Sequence, residues 1–350
     1  MIASEPDLGA STALARAIAP TLLGDGRERP ITVDQTNRSV VVDESVIVKW
    51  FRPPRSLPHR GSEVLAHLAE VGFDSMPAFH GSHIENGHVV ASVASFLPGA
   101  RDGWDWYLDE VHAWYDGSLE RSALIGRARA LGSLAGRLHV ALATPSARWP
   151  NPVGEVSIRQ LHVRAVALLE TARSVTGGAT AEHLAARWES IRAELDVLDT
   201  NRKTAAITVH GDLHVGNVLA IGGQLAITDF DGNPIADSAD DGLQQPAAVD
   251  VAALLQSIDH VVRIVDHRTA GARRADLTRL IDELVGAALD TYRAVLTTAS
   301  LDRLLDVALL RPLRVAQELH ELAYAAAHLP HWVYVPDAAL ASMFPLDCEE

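Results

Sequence analysis

Between residues 30 and 51 the chain reads "PITVDQTNRSVVVDESVIVKWF". Three β-branched runs, 30–34, 38–43 and 46–51, are parted by the polar turns "DQTN" and "DES". Two reversals in so short a stretch predict an antiparallel meander. The neighbouring segments extend it. "LGASTALARAIAPTLL" (8–23) has the spacing of a short amphipathic helix. "RGSEVLAHLAEVGF" (60–73) places Val64, Leu65, Leu68 and Val71 at helical intervals. "HVVASVASFL" (88–97) is a further strand, ended by Pro98-Gly99. Residues 1–98 are thus expected to form a small β-rich lobe with one inserted helix, opened by a short helical segment.

From residue 99 onward the patterning is helical, with candidate helices at 104–115, 121–143, 158–174, 180–199, 247–265, 274–298 and 300–328. "TGG" at 176–178 marks a break. Two β runs interrupt the helices, "AAITVH" (205–210) and "QLAITDF" (224–230), and are expected as a hairpin insert. A small β lobe followed by a large helical lobe, 99–350, is an α+β, two-lobed layout, with the ligand site expected in the cleft between lobes.

Charge narrows the function. The net charge of −15 argues against a nucleic-acid partner. No apolar run is long enough to span a membrane. The single cysteine, Cys348, cannot form a disulfide within the chain. A cytoplasmic protein with small-molecule ligands is expected, with no obligate protein partner in evidence. Arginine supplies nearly all the positive charge. Lys49 and Lys203 are the two lysines among 30 basic residues. Residues 204–262 carry no Lys or Arg, yet hold eight aspartates: Asp212, Asp229, Asp231, Asp237, Asp240, Asp241, Asp250 and Asp259. Such a run needs positive charge from outside itself, a divalent cation being one candidate. Asp237, Asp240, Asp241 and Asp259 are read as surface loop acids or helix caps.

"HGDLHVGNVL" (210–219) lies between the two β runs. His210 and His214 are four apart, but Gly211 and Gly216 oppose a helix and no H-E-x-x-H pattern occurs. No G-x-S-x-G is present for nucleophilic hydrolysis. Phosphoryl transfer fits better. It calls for a base near the acceptor hydroxyl, oxygen ligands for a hard cation, and a cation on the phosphates. Asp212 and Asn217 have the base-to-ligand spacing, and Asp229 ends the next apolar run, Leu225-Ala226-Ile227. Asp231 is either a second carboxylate at that metal or a turn residue before Gly232.

"HGDLHVGN" with "DFDG" resembles the aminoglycoside-phosphotransferase-like kinases, which have a eukaryotic protein-kinase-like fold. More narrowly, "VASFLPGARDGWDW" (93–106), "GRLHVALA" (136–143) and "YAAAHLPHW" (324–332) resemble the actinobacterial maltokinase and glucosamine kinase group. The resemblance implies Asp212 as general base and Asn217 and Asp229 as Mg²⁺ ligands. It implies Lys49 on the ATP phosphates and Glu63 orienting Lys49. His210 would brace the loop, and His214 would line the sugar pocket. Two departures stand out. No glycine-rich loop precedes Lys49, so phosphate cover would come from backbone or polar groups of residues 35–39, or be loose. Maltokinases usually carry Gln in place of Asn217 and "DFEG" in place of "DFDG".

"VAQELHELAY" (315–324) sets Gln317, Glu321 and Tyr324 on one helical face, with His320 alongside. Maltokinases have Lys where Gln317 stands, so losing that cation beside Glu321 favours a cationic acceptor. Trp332 would stack on the sugar, and Asp116 is a weaker candidate. The expectation is an ATP- and Mg²⁺-dependent kinase for the 6-hydroxyl of glucosamine. Maltose or an aminoglycoside is the alternative acceptor. A non-catalytic nucleotide-binding protein and a metal-dependent hydrolase are the alternatives in other classes.

Overall fold

The computed structural model describes residues 9–31, 37–232 and 244–346. Asp237, Asp240, Asp241, Cys348 and residues 32–36, where most of the expected first turn falls, lie outside them. Two compact units emerge: Met1–Arg101 with Thr144–Pro150 and Val218–Gly242, and Asp102–Ala143 with Asn151–Asn217 and Leu243–Glu350.

In the first unit, β1 (Glu28–Ile31), β2 (Arg38–Val42), β3 (Val46–Ser56), β4 (Phe79–Glu85) and β5 (His88–Ser95) form an antiparallel sheet of order β1-β2-β3-β5-β4. The meander holds. Its second turn places Asp43 and Glu44 at φ 53° and 51°, with Ser45 N–H bonded to Val42 O at 3.1 Å. Two successive positive φ values match the right-handed twist of the flanking strands. Asp43 is held there by accepting the N–H groups of Gly24, Gly26 and Arg27 at 2.8–2.9 Å. β3 runs past the expected end, and its register with β5 shifts between Trp50 and Arg55, where Pro53 and Pro54 have no N–H to donate.

Alternation along β3 decides which face is covered. Val46 and Val48 are fully buried and pack with Val42, Ala91 and Val93 against Ala15 and Ala19 of α1 (Ala10–Ile18) and the residue after it. The Trp50 indole N–H donates to Ser11 Oγ at 3.0 Å on that side. Lys49, one residue out of phase, leaves from the opposite face. α2 (Arg60–Glu70) comes next, with Val64 and Leu68 fully buried. β4 was not expected. Its "FHGSHIE" lacks apolar alternation because it is a part-exposed edge strand.

The second unit holds α3 (Gly103–Tyr115), α4 (Arg121–Leu142), α5 (Ile158–Val175), α6 (Gly178–Ala186), α7 (Trp188–Asp196), α8 (Ala248–Arg268), α9 (Arg274–Thr298), α10 (Leu310–His328) and α11 (Tyr334–Met343). Most expected helices are present, with three corrections. The 180–199 helix breaks at Arg187, whose buried guanidinium turns inward to donate to Phe344 O at 3.0 Å. The 300–328 helix starts only at Leu310. Pro312 fits in a first turn but would clash with a helical residue 308, so 302–304 and 307–309 form short 3-10 turns. α11 was missed because Pro336 reads as a breaker, yet it too sits in a first turn.

The expected hairpin is also corrected. Lys203–Ala206 pairs with Gly154–Ser157, not with 224–230. The hairpin is Val218–Ile221 with Gln224–Ile227, joined by Gly222-Gly223 at φ 54° and 82°. It belongs to the first unit, bonded to Arg101 through Ala220 and to Ser75 through Ile227. No helix among the described residues is long and apolar enough to cross a membrane.

Candidate active site

The residues singled out from the sequence fall into two groups, one in each unit. In the helical unit the group is the 209–217 loop, and α8 holds it. Asp250, in the first turn of α8 and fully buried, accepts His210 N–H at 2.6 Å and Gly211 N–H at 2.8 Å. His139 of α4 donates from Nε2 to the same carboxylate at 3.0 Å, and its Nδ1 meets the Tyr292 hydroxyl at 2.7 Å. Burial alone would raise the Asp250 pKa. The hydrogen bond from His139, the nearby His210 and the Gly211 N–H outweigh it and hold the carboxyl below its ordinary value. Two turns along α8, Ser257 Oγ accepts Val215 N–H at 3.0 Å.

The loop has little room. A Cβ on Gly103 would meet Val215 O at 1.8 Å, and one on Gly216 would meet Trp104 Nε1 at 2.4 Å. His210 braces the loop as expected, being fully buried with Nδ1 accepting Asp212 N–H at 3.2 Å. Asp212 keeps 28% of its side chain exposed. Burial pushes its pKa up, but the His214 hydrogen bond and the charges of His214, His210 and His320 prevail and hold it below the ordinary range. Asn217 Nδ2 donates to Asp212 O at 2.9 Å and lies 3.3 Å from His214 Nε2. That turns its amide oxygen, the atom a hard cation prefers, away from them.

On α10, Gln317 Nε2 donates to Glu321 Oε1 at 3.1 Å, so these two do share a face. Tyr324, one turn on, is exposed and packs on His328. His320, left out of the expected set, is close enough to Asp212 to lower its pKa. Trp332 meets Trp104 edge-to-face at 6.0 Å, and Trp104 stacks on His214 at 5.9 Å. This joins Trp332 to the 209–217 loop through one ring. Asp116 is the residue after α3, where its N–H caps the helix.

In the sheet-bearing unit the group is Lys49 with "DFDG". Lys49 Nζ lies 2.9 Å from Asp229 Oδ1 and 2.8 Å from Asp231 Oδ2. Burial would lower the ammonium pKa; Asp231 and Asp229 overcome it and raise it. Asp229 takes φ 61°, a conformation uncommon for a side-chain-bearing residue, and stays 48% exposed. Asp231 sits against the N-terminus of α2, where a Cβ on Gly61 would strike Oδ1 at 2.2 Å. Arg60 Nη1 donates to Phe230 O at 3.1 Å and pins the same turn.

Glu63 does not orient Lys49 in this arrangement. Its carboxylate is taken by Arg148 at 2.6 Å. The 144–150 segment also docks on α2 through Ser146 on His67 and Ala147 N–H on Glu70. Asp259, expected at the surface, is buried in α8 between Arg263 and Arg314. Among the described aspartates of this stretch, Asp229 and Asp231 pair with Lys49, Asp250 is bonded to His139, and Asp259 pairs with Arg263 and Arg314. Among the described residues, no three His, Cys, Asp or Glu side chains gather as a metal cage.

Comparison with known proteins agrees with this layout. Residues 27–295 match the phosphotransferase enzyme family. A glucosamine kinase from Streptacidiphilus jiangxiensis is 41% identical over 331 residues, 91% of this chain and 74% of that protein. One from Mycolicibacterium smegmatis is 37% identical over 90% of this chain and 79% of its own length. A solved glucosamine kinase in complex with glucosamine, ADP and inorganic phosphate superposes with a TM-score of 0.84 at 36% identity, covering 98% of this chain and 84% of that one. An aminoglycoside 2'-phosphotransferase at 13% identity and TM-score 0.51 shares the fold alone. The chain, with its small antiparallel-sheet lobe and large helical lobe, belongs to the phosphotransferase enzyme family and has its protein-kinase-like fold.

Proposed function

We propose that this protein is a glucosamine kinase that moves the γ-phosphoryl group of ATP to the 6-hydroxyl of glucosamine. The observation that carries the reading is Asp212: an ionised, part-exposed carboxylate on a loop whose backbone is clamped by Asp250 and Ser257. A general base for an alcohol must be unprotonated, accessible and fixed. The two glucosamine kinases at 41% and 37% identity support the choice of acceptor.

In this reading Asp212 takes the hydroxyl proton as the acceptor oxygen bonds to the γ-phosphorus. The bond from that phosphorus to the β–γ bridging oxygen breaks, and ADP leaves. Lys49 exchanges a carboxylate for phosphate oxygens. Asp229 would offer a carboxylate and Asn217 an amide oxygen, donor types suited to Mg²⁺, which would supply charge neutralisation when bound. Asp231 holds Lys49, with service as a further Mg²⁺ ligand the other role open to it. Gln317, Glu321, Tyr324, His214 and Trp332 receive the sugar, with Glu321 facing its ammonium. ATP as donor places the reaction in the cytoplasm.

The test has two parts. Glucosamine, N-acetylglucosamine, maltose and kanamycin are offered with ATP, and phosphorus NMR identifies the phosphorylated oxygen. Asp212→Ala is then expected to lose at least about 10³-fold in kcat while binding nucleotide normally by calorimetry. Near-normal turnover in that variant refutes the assignment of the base. A preference for maltose or kanamycin refutes the assignment of the acceptor.

A further inference from the structure

Behind the proposed acceptor face, α10 is fastened to α8 by buried charges that the reaction itself does not use. Glu318 is fully buried, and both its oxygens accept from His260 Nε2, at 3.0 and 3.1 Å. One turn earlier on each helix, Arg314 Nε donates to Gln256 Oε1 at 3.0 Å and its Nη2 lies 3.6 Å from Asp259. Arg263 closes the set by pairing with Asp259 and donating to Ala338 O at 3.2 Å. The contacts recur at i and i+4 on α10, so they fix rotation about the helix axis as well as distance.

That rotation matters because the proposed acceptor groups flank Glu318 on the same helix. Gln317 precedes it by one residue, and Glu321, bonded to Gln317, lies three residues beyond it. At about 100° per residue, the pair faces roughly 80° away from Glu318. A residue anchored at Glu318 therefore sets the direction in which the acceptor groups point.

We infer that Glu318 and His260 are positioning residues for the acceptor: their buried pair holds the rotation of α10 that presents Gln317 and Glu321. This rests on the reading of α10 as the acceptor-binding helix. Neither residue touches the reacting atoms, so their effect falls on acceptor affinity and leaves the handling of nucleotide alone.

Three variants test the inference: Glu318→Gln, Glu318→Asp and His260→Gln. Glu318→Gln keeps the length of the side chain and an oxygen for His260. Glu318→Asp keeps the charge but withdraws it by one methylene. All measurements use whichever of glucosamine, maltose or kanamycin the wild-type enzyme turns over fastest, so that failure of glucosamine as substrate is seen separately, in the wild type. The expected result is a rise of about tenfold or more in acceptor KM for Glu318→Asp, as a displaced Gln317–Glu321 pair loses a hydrogen bond to the bound acceptor. Its kcat and ATP KM should stay within about threefold, and Glu318→Gln should restore most of the acceptor KM. His260→Gln should shift acceptor KM in the same direction as Glu318→Asp. The inference is overturned if Glu318→Asp and His260→Gln melt earlier with acceptor KM unchanged. It is equally overturned if kcat and both KM values move together. Should Glu318→Asp fail to fold, His260→Gln alone decides between these outcomes.

Discussion

Replacing Asp250 by Asn tests whether the catalytic loop is held by charge or only by shape. The side chain keeps its outline, but one acceptor oxygen becomes an NH₂ group. The native carboxylate accepts three hydrogen bonds, from His210 N–H, Gly211 N–H and His139 Nε2–H, with no solvent to substitute for any of them. Whichever way the Asn amide is turned, its NH₂ faces at least one donor. Hydrogen bonds to a charged group contribute about 1.5–3 kcal/mol each. Losing one and weakening the others puts the cost at about 3–5 kcal/mol, the range seen when one partner of a buried ion pair is removed. At about 2–4 °C per kcal/mol, the melting temperature should fall by roughly 10 °C. The same change frees the His210-Gly211 backbone, and kcat should drop by about 10²-fold as Asp212 loses its placement. Acid dependence supplies an independent sign. The Asp250 pKa is lowered in the folded state, so its contribution is complete above the ordinary carboxylate range and is lost as pH falls through the folded value. The stability gap between wild type and Asp250→Asn should therefore be full at neutral pH and shrink only in strong acid. Denaturant unfolding at several pH values and a coupled ADP-release assay measure both. A variant within about 0.5 kcal/mol and twofold in kcat of the wild type would refute the reasoning.

Other substitutions separate the parts of the site. Lys49→Met leaves Asp229 and Asp231 facing each other without their cation, and kcat/KM for ATP should fall by at least about 10²-fold; steady-state kinetics at saturating acceptor checks it. Glu63→Gln should be far milder, within a few-fold in kcat and about 1 kcal/mol in stability, because its partner Arg148 and it are both part-exposed. A loss as large as that of Lys49→Met would mean that Glu63 reaches Lys49 after all. Asn217→Ala should raise the Mg²⁺ concentration needed for half-maximal rate by about tenfold or more; an unchanged Mg²⁺ titration removes Asn217 from the ligand set.

How far the sequence carries depends on the range of the interaction involved. That Asp212 and Asn217 share one loop, and that Asp229 ends the following hairpin, was legible because these positions lie close together in the chain. The meander was legible because β-branched runs and polar turns are local signals. Asp250 was not, since its role comes from loop amides forty residues earlier and a histidine on another helix, and nothing local distinguishes it from a helix-start acid. Glu63 misled because a first-turn acid after a strand lysine fits the kinase pattern, whereas its competitor, Arg148, lies 85 residues further on. The true hairpin was within reach, as Gly222-Gly223 between apolar runs is a strong local turn signal. Pro312 and Pro336 show the limit of breaker rules: whether a proline stops a helix or opens one depends on where the first turn falls.

α8 has one more property. Asp250 and Ser257 grip the catalytic loop, and His260 grips α10, all within eleven residues of one helix. Adding or removing a single residue there would turn every later anchor by about 100° and slide it by about 1.5 Å. The 209–217 loop and α10 would then lose their common register. This stretch therefore cannot change its length without breaking that register. Insertions and deletions among related chains should spare 250–260.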